Sequence, residues 1–220
     1  MRSCGDTNRR DFLKTATCVA AGAGFALSPI GEHEAWSSPD DLTLVGPKPG
    51  YAPELGTLSS MMAFMRAQVV RSVKDMKIAD LDFLLDAKAN TIGAMLLHLA
   101  ATETYYQLNT FEGLAWGTWP DAVKQKWDAA SKLGDAGRKN IKGKELEYYL
   151  STLKETREKT LTEFKKRDDK WLFAVDKSFP WGPTNNYCKW FHVCEHEANH
   201  NGQIKLVMGR LPNAKDSRGD

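Results

Sequence analysis

Three of the chain's five histidines lie close together near the C-terminus, at His192, His196 and His200. They are spaced four residues apart in a proline-free segment that is predicted to form a helix. Side chains at this spacing lie one above the other on one helix face, so His196 and His200 can direct two imidazoles at a common metal ion. Histidine pairs at this spacing recur in zinc sites, so metal binding is the first chemistry that the sequence indicates.

The same segment matches the H-E-x-x-H pattern of zinc peptidases, in which the glutamate is general base for a bound water. Glu197 would have that role here. The metzincin extension of the pattern requires glycine and histidine at the positions where this chain has Gln203 and Leu206. The gluzincin extension requires a later glutamate, and none follows Glu197. A peptidase is therefore the weakest of the functions considered.

A third ligand can instead come from upstream. Outside the C-terminal helix the remaining histidines are His98 and His33, and His33 precedes the predicted domain. His98 lies in an apolar stretch, where a lone histidine is more often held by a hydrogen bond than by a metal ion. Three histidine nitrogens with one open position are nevertheless the arrangement of a catalytic zinc site.

The sequence around these histidines resembles the DinB-like family of metalloenzymes. The resemblance rests on His98 within Leu96–Ala100, on the pair His196 and His200, and on the Asn-Gly-Gln-Ile that follows them at 201–204. It implies a four-helix bundle with a divalent metal ion, often zinc or nickel. Carried over position by position, it implies that the ligands are His98, His196 and His200.

The resemblance covers residues 57–211, most of the chain, and includes the order of four helices. Relatives of known activity are thiol-dependent transferases or isomerases. We therefore expect a metal-dependent transferase or hydrolase that acts on a small molecule at an open coordination position. The alternative from another class is a non-catalytic metal-binding or sensor protein. One departure from the family is Asn201, where relatives usually have arginine.

Two further residues on the last helix are expected to border the site. His192 lies one turn before His196 on the same face, so we expect it beside the ligands or in the core rather than on the metal ion. Gln203 lies three residues after His200 and is placed to orient a ligand.

Two other residues have less defined roles. Glu197 is about 100° around the helix from His196, so it can accept a hydrogen bond from an imidazole, act as a base or face a basic neighbour. Tyr105 lies seven residues after His98 and is expected either to line the pocket or to belong to the core.

The composition is that of an ordinary globular domain, with 42% hydrophobic and 26% charged residues. The net charge of +2 gives no indication of nucleic acid or a membrane surface as partner. Past the N-terminus, no apolar run approaches the roughly 20 residues that span a bilayer. The seven tryptophans suit the walls of a small-molecule pocket as well as a core.

Two cysteines, Cys188 and Cys194, lie in the predicted last helix. At six residues apart they project from nearly opposite faces and cannot pair within that helix. We expect both to be small buried hydrophobic residues, with metal or thiol chemistry as the alternative.

Apolar residues at helical spacing predict four long helices with no strong strand signal. The predicted long helices are 57–76, 91–109 with Asn90 as cap, 144–166, and 185–210 with Thr184 or Asn185 as cap. A short helix is predicted over 120–133, a polar loop over 134–143, and an irregular stretch with a weak β-hairpin signal over 168–183. These elements predict an all-α four-helix bundle with crossover connections. A homodimer is compatible with such a bundle, but no exposed stripe identifies an interface.

The N-terminus is predicted to be an export signal. Arg9 and Arg10, followed by Asp-Phe-Leu-Lys and then an Ala/Gly-rich apolar stretch, resemble the twin-arginine (Tat) signal of bacteria. We therefore expect a signal peptide at 1–35, a Pro/Gly-rich linker or arm at 36–56 and a polar tail at 212–220. The expected location is the periplasm or the medium, with the twin-arginine machinery as a partner and no stable membrane insertion after cleavage.

Overall fold

The computed structural model describes residues 42–214. The predicted signal at 1–35, the first part of the predicted linker and the last six residues of the predicted tail lie outside them. The helices of the described part are α1 Pro53–Val73, α2 Ile78–Leu81, α3 Ile92–Thr110, α4 Asp121–Lys132, α5 Gly134–Asn140, α6 Leu146–Phe164, α7 Asp169–Leu172 and α8 Asn186–Met208. Two short strands, β1 Val175–Asp176 and β2 Thr184–Asn185, pair antiparallel before α8. Within residues 42–214, no helix has the length and apolar character needed to cross a membrane.

The four long helices α1, α3, α6 and α8 form the bundle. Helix α3 packs against both α6 and α8, and α1 packs chiefly against α8 and less closely against α6. Two pairs of consecutive long helices, α1 with α3 and α6 with α8, therefore lie diagonally opposite each other in the bundle. The connections within these pairs must cross the end of the bundle. The predicted all-α four-helix bundle with crossover connections is confirmed.

Side chains at the helix starts fix where the site-bearing helices begin. The Asn185 side chain accepts a 2.8 Å hydrogen bond from the Cys188 backbone N–H, and so caps α8 as predicted. For α3 the predicted cap was wrong by one residue: Thr91 accepts from Ala94 N–H, whereas the Asn90 side chain accepts from Gly134 N–H.

Helix α1 begins at Pro53, four residues before the predicted start near residue 57. Proline suits the first helical position because it lacks the N–H that would be unpaired there. The Asp169 carboxylate of α7 accepts from the next two N–H groups, those of Glu54 and Leu55, at 3.2 and 3.3 Å. The described part of the predicted arm lies against this helix, since a Cβ on Gly56 would be only 2.5 Å from the Lys48 nitrogen.

The prediction of a loop over 134–143 was wrong, because residues Gly134–Asn140 form α5. Leu133, with φ of 52°, ends α4 and redirects the chain into the new helix. The Arg138 guanidinium then ties α5 to the carbonyls of Lys88 and Ala89 at 2.8 and 3.1 Å. Tertiary bonds of this kind outweigh the weak helix propensity of a Gly-containing polar segment. The weak hairpin signal in 168–183 corresponds to the pairing of β1 with β2, preceded by the one-turn helix α7.

The apolar core has two parts with a charged layer between them. On α1, Met62 belongs to one part and Val69 to the other, and Arg66 lies between them. The buried Arg157 and Glu197 occupy the corresponding boundary on α6 and α8. The predicted histidine site lies on the same turns of α8 as Glu197. The charged layer therefore holds the part of α8 that carries the histidines.

Candidate metal centre

The structure brings His98 of α3 together with His196 and His200 of α8. The Nε2 atom of His196 is 3.2 Å from Nε2 of His98 and 3.1 Å from Nε2 of His200. The ligand atoms of the three residues lie within 4.8 Å of one another. His200 is buried, and the other two are partly buried. The three imidazoles therefore direct their nitrogens at one point between α3 and α8.

The second nitrogen of His98 fixes its tautomer. His98 Nδ1 is 2.9 Å from the Ala130 carbonyl oxygen of α4, and because a carbonyl only accepts, this nitrogen carries the proton. Nε2 is then an unprotonated lone pair aimed at the convergence point. An outer hydrogen bond of this type is the usual way in which proteins orient a metal-ligating histidine.

The environment keeps all three histidines neutral at neutral pH. Burial, with a contribution from the neighbouring imidazoles, lowers the pKa of His196 from 6.5 to about 3. Burial and His98 lower the pKa of His200 to about 4. Burial also lowers the pKa of His98, against the opposing effect of its hydrogen bond to Ala130. Neutral imidazoles are the form that binds a metal ion, so the ligands need not lose protons at pH 7.

The two neighbouring pairs of nitrogens have the spacing of ligands on a tetrahedral metal ion. With Zn–N bonds of about 2.0–2.1 Å, tetrahedral ligands are separated by about 3.3 Å, close to the two distances found. Without a cation, a proton on His196 Nε2 cannot point at both neighbours with good geometry. Three neutral nitrogen donors leave a further coordination position for water or substrate.

Glu197, the neighbour of His196 in sequence, faces a different part of the molecule. Its carboxylate is 1% exposed and accepts from Arg157 Nη2 at 2.6 Å and from Arg66 Nη2 at 2.6 Å. Of the roles considered for Glu197, the structure supports the one in which it faces a basic neighbour. Held by two guanidinium groups, the carboxylate is not available as the general base of a peptidase.

Glu103 of α3 completes this network. Its carboxylate is fully buried and accepts from Arg157 Nε at 2.7 Å, from Arg66 Nη2 at 3.0 Å and from Thr160 Oγ1 at 2.6 Å. Burial alone would raise the pKa of Glu103, but Arg157 and Arg66 outweigh it and hold the pKa below its ordinary value. We call Arg66, Glu103, Arg157 and Glu197 the ion network. It takes one residue from each long helix, and its two positive and two negative charges balance.

The sequence model of the mycothiol-S-transferase family matches residues 57–211. This span is the one that the resemblance covered, and it contains all three converging histidines. The chain belongs to the mycothiol-S-transferase family. Because this is a DinB-like family, the resemblance drawn from the histidine segments is confirmed. The sequence has no match among curated proteins.

Two solved structures share the fold of this mycothiol-S-transferase family member. A protein from Streptococcus pneumoniae aligns with 14% identity and a TM-score of 0.55, over 71% of this chain and 91% of its own. An uncharacterized protein from Clostridium difficile 630 aligns with 13% identity and a TM-score of 0.55, over 71% of this chain and 96% of its own. At these identities the likeness shows a common fold and nothing more.

His192 lies beside the three converging histidines without joining them. Its ring stacks on that of His196 at a centroid distance of 5.2 Å, and its Nδ1 shares a 2.9 Å hydrogen bond with the Tyr106 hydroxyl. The indole of Trp181 packs edge-on against its other side at 5.0 Å. This is the neighbouring position expected from its spacing.

The remaining predicted site residues make other contacts. Gln203 is exposed, and its side-chain N–H donates to Asn199 Oδ1 at 3.2 Å. A hydrogen bond from its side chain to His200 raises the pKa of His200 against the larger effect of burial, so Gln203 borders the site as expected. Tyr105 is buried, stacks on Trp119 at 5.0 Å and donates to Asp128 Oδ1 at 3.0 Å. Burial, with Asp128, raises the pKa of Tyr105 to about 12.

Two residues of the last helix differ from expectation or from the family. Cys194 is buried as expected, but Cys188 is exposed because it lies in the first turn of α8, next to its cap. Asn201 is buried, and its Oδ1 accepts from Ser72 Oγ at 2.8 Å, which joins α8 to α1.

Sequence reasoning missed three members of the ion network. Arg66 lies within a methionine-rich stripe and Arg157 within a helix face rich in charge, so neither is conspicuous. Glu103 did have a signal, because it is the only acidic residue of α3. A lone carboxylate in a largely apolar helix is a candidate for burial, and a buried carboxylate needs a partner of opposite charge.

Proposed function

We propose that this protein is a metal-dependent transferase that attaches a low-molecular-weight thiol to a small electrophile. The observation that supports this most directly is the convergence of three neutral imidazole nitrogens, with neighbouring pairs 3.2 and 3.1 Å apart. The family description, mycothiol-S-transferase, suggests that the cosubstrate is a thiol of the mycothiol type.

His98, His196 and His200 would hold a divalent ion, which would supply Lewis acidity and lower the pKa of a thiol or water at its open position. Zinc and nickel are the ions that the family favours and that suit imidazole ligands. The three ligands are neutral, so they leave the full positive charge of the ion available.

The residues of the chain supply position rather than acid–base chemistry. The bond from His98 Nδ1 to the Ala130 carbonyl keeps this ligand's Nε2 unprotonated and fixed. In the proposed reaction the thiol sulfur forms a bond to the electrophilic carbon, and its proton passes to solvent. The displaced group leaves with the electron pair of the broken bond.

The test is a thiol-transfer assay on the metal-loaded protein. A panel of mycothiol, glutathione, cysteine and coenzyme A would be offered with 1-chloro-2,4-dinitrobenzene, and the thioether followed by absorbance. We expect turnover with at least one thiol that disappears in His196→Ala and persists in the matched exposed variant Asn199→Ala. Metal-dependent ester hydrolysis without any thiol requirement would favour a hydrolase that uses the same open position. Absence of both activities at full metal occupancy would favour the non-catalytic metal-binding alternative.

We further propose that the chain is exported by the twin-arginine route, on the basis of Arg9, Arg10 and the apolar stretch after them. Replacing both arginines by lysine should retain the uncleaved protein in the cytoplasm. Fractionation of bacteria that express both forms would test this, and equal export of the variant would contradict it. An exported transferase would need a thiol that is present outside the cytoplasm.

A further inference from the structure

An aromatic wall extends outward from the three converging histidines, and the catalytic proposal does not use it. Ring contacts run from His196 to His192 at 5.2 Å, from His192 to Trp181 at 5.0 Å and from Trp181 to Phe179 at 5.1 Å. Tyr106 of α3 holds the second ring of this wall in place, since its hydroxyl shares a 2.9 Å hydrogen bond with His192 Nδ1. The wall is therefore continuous with a residue of the candidate metal centre.

Trp181, the third ring of this wall, faces solvent, whereas Phe179 behind it is buried. The Trp181 side chain is 58% exposed, whereas Trp119, Trp127 and Trp190 are at most 6% exposed. An indole held in water beside a candidate metal centre leaves a large apolar surface that a bound molecule can cover. Since Trp181 lies two ring contacts from His196, such a molecule could reach the open coordination position at the same time.

The connection that carries Trp181 is fixed to the bundle. Lys189 of α8 is 2% exposed, and its ammonium donates to Asp176 Oδ2 and to Asn109 Oδ1, each at 2.8 Å. The same ammonium lies 4.6 Å from the centre of the Phe179 ring. Pairing of β1 with β2 closes the connection at its base. Trp181 is thus displayed on a short braced connection, which suits a rigid recognition surface.

We propose that Trp181 and His192 form a subsite for a planar apolar group of the electrophilic substrate, which makes aromatic or conjugated electrophiles the preferred class. This inference rests on the proposed function, because it places the subsite next to an open coordination position. Trp181 is a specificity-determining residue in this scheme and takes no part in holding the metal ion.

Two probes separate the subsite from the metal centre. Benzohydroxamate and acetohydroxamate carry the same metal-binding group and differ in a phenyl ring against a methyl group. Both would be titrated into the cobalt-loaded protein by calorimetry and by cobalt absorption, with affinities normalised to those for the free ion. We expect the phenyl compound to bind about tenfold more tightly, because its ring stacks in the subsite.

Variants of exposed aromatic residues show whether Trp181 causes the preference. In Trp181→Ala the phenyl preference should fall at least fivefold, while acetohydroxamate binding stays unchanged. Trp181→Phe should recover most of the preference, because it restores a ring. Phe173→Ala is the matched control, since Phe173 is 51% exposed and stacks on Tyr187 rather than on His192. It should leave both affinities as they are.

The outcomes distinguish this inference from the proposed function. Equal normalised affinities for the two probes, or a preference that survives in Trp181→Ala, would overturn the subsite and leave the metal centre standing. Failure of both probes to bind the fully loaded protein would overturn the open coordination position and, with it, the proposed function. Cobalt content is measured first in every variant, so a loss of metal cannot be mistaken for a loss of the subsite.

Discussion

Two buried polar clusters lie next to each other on α8, one made of balanced charges and the other of neutral imidazoles. In the ion network, two guanidinium groups and two carboxylates from the four long helices balance one another. In the histidine cluster, three neutral imidazoles direct their nitrogens at one point. His196 and Glu197 are adjacent in sequence, yet one belongs to each cluster.

The difference shows how to distinguish a structural polar cluster from a binding site. A buried charged group is tolerated when partners of opposite charge surround it, and the ion network meets that condition within the chain itself. The histidine cluster carries no charge of its own, so it needs no partner of opposite charge, and its converging nitrogens are electron-pair donors that suit a cation. The charge balance of the ion network indicates a role in holding the helices, although Glu197 Oε2 is buried without a hydrogen-bond partner. The convergence of three imidazoles in the histidine cluster indicates a cation as ligand.

The largest expected effect comes from breaking the ion network. Arg157→Met leaves Glu103 and Glu197 with one guanidinium between them, so the free energy of unfolding should fall by about 3–5 kcal/mol. Denaturant unfolding of the metal-free protein measures this. On the same helix, Glu158→Gln removes one partner of an exposed pair with Lys154 and should change stability by less than about 0.5 kcal/mol. Equal effects of the two variants would mean that the ion network is not what holds the bundle.

A change of pH should have an effect of similar size, and the two clusters should lose stability in different pH ranges. The folded-state pKa values of His196 and His200 are lowered from 6.5 to about 3 and about 4. Below pH 6.5 the unfolded chain therefore takes up protons that the folded chain does not. The metal-free protein should lose stability as pH falls from 6.5 to about 4, by at most about 1.4 kcal/mol per pH unit for each histidine.

The ion network contributes differently, because the folded-state pKa of Glu103 is lowered from 4.5. Its stabilisation is fully present above that value and is lost only as pH falls through the lower folded-state pKa. Unfolding curves at pH 7.5, 6, 5 and 4 for the wild type and for a His196→Ala, His200→Ala double variant would separate the two. The double variant should show a shallower loss between pH 6.5 and 4, and an unchanged slope would rule out the assignment to these histidines.

The smallest expected effect is the change in metal affinity on replacing His192. This residue is spaced like a ligand along α8 but does not converge with the other three histidines. His192→Phe keeps a ring stacked on His196, so metal affinity should change by less than about threefold. His98→Ala should weaken metal binding by more than about a hundredfold, because even outer-shell losses cost 10- to 100-fold. Competition with a chromophoric chelator measures both. Comparable losses in the two variants would place His192 on the metal ion.

The sequence was sufficient for the fold class and for the residues that converge at the site. Helical periodicity and spacing are local signals, and His196 and His200 share a face in any regular helix. The meeting of His98 with them is non-local, and it was reached through the family resemblance. The tautomer of His98 could not be predicted, because it depends on a carbonyl of Ala130 in another helix.

The ion network and α5 show what local patterns miss. Glu197 has the same helical neighbours whether it faces a metal ion or Arg66 and Arg157, so its direction depends on which helices pack beside α8. Helix α5 forms where glycine and polar residues predict a loop, because Arg138 bonds to carbonyls some fifty residues earlier in the chain. Both outcomes depend on tertiary contacts that a single sequence does not encode in its periodicity.

The most direct test of the central claim is metal content measured by elemental analysis after reconstitution with zinc or nickel and gel filtration. The wild type and Glu197→Gln should each retain about one equivalent, because Glu197 belongs to the ion network, whereas His196→Ala should retain none. A wild-type chain without bound metal, or a Glu197→Gln chain that loses metal while His196→Ala keeps it, would contradict the division between the two clusters.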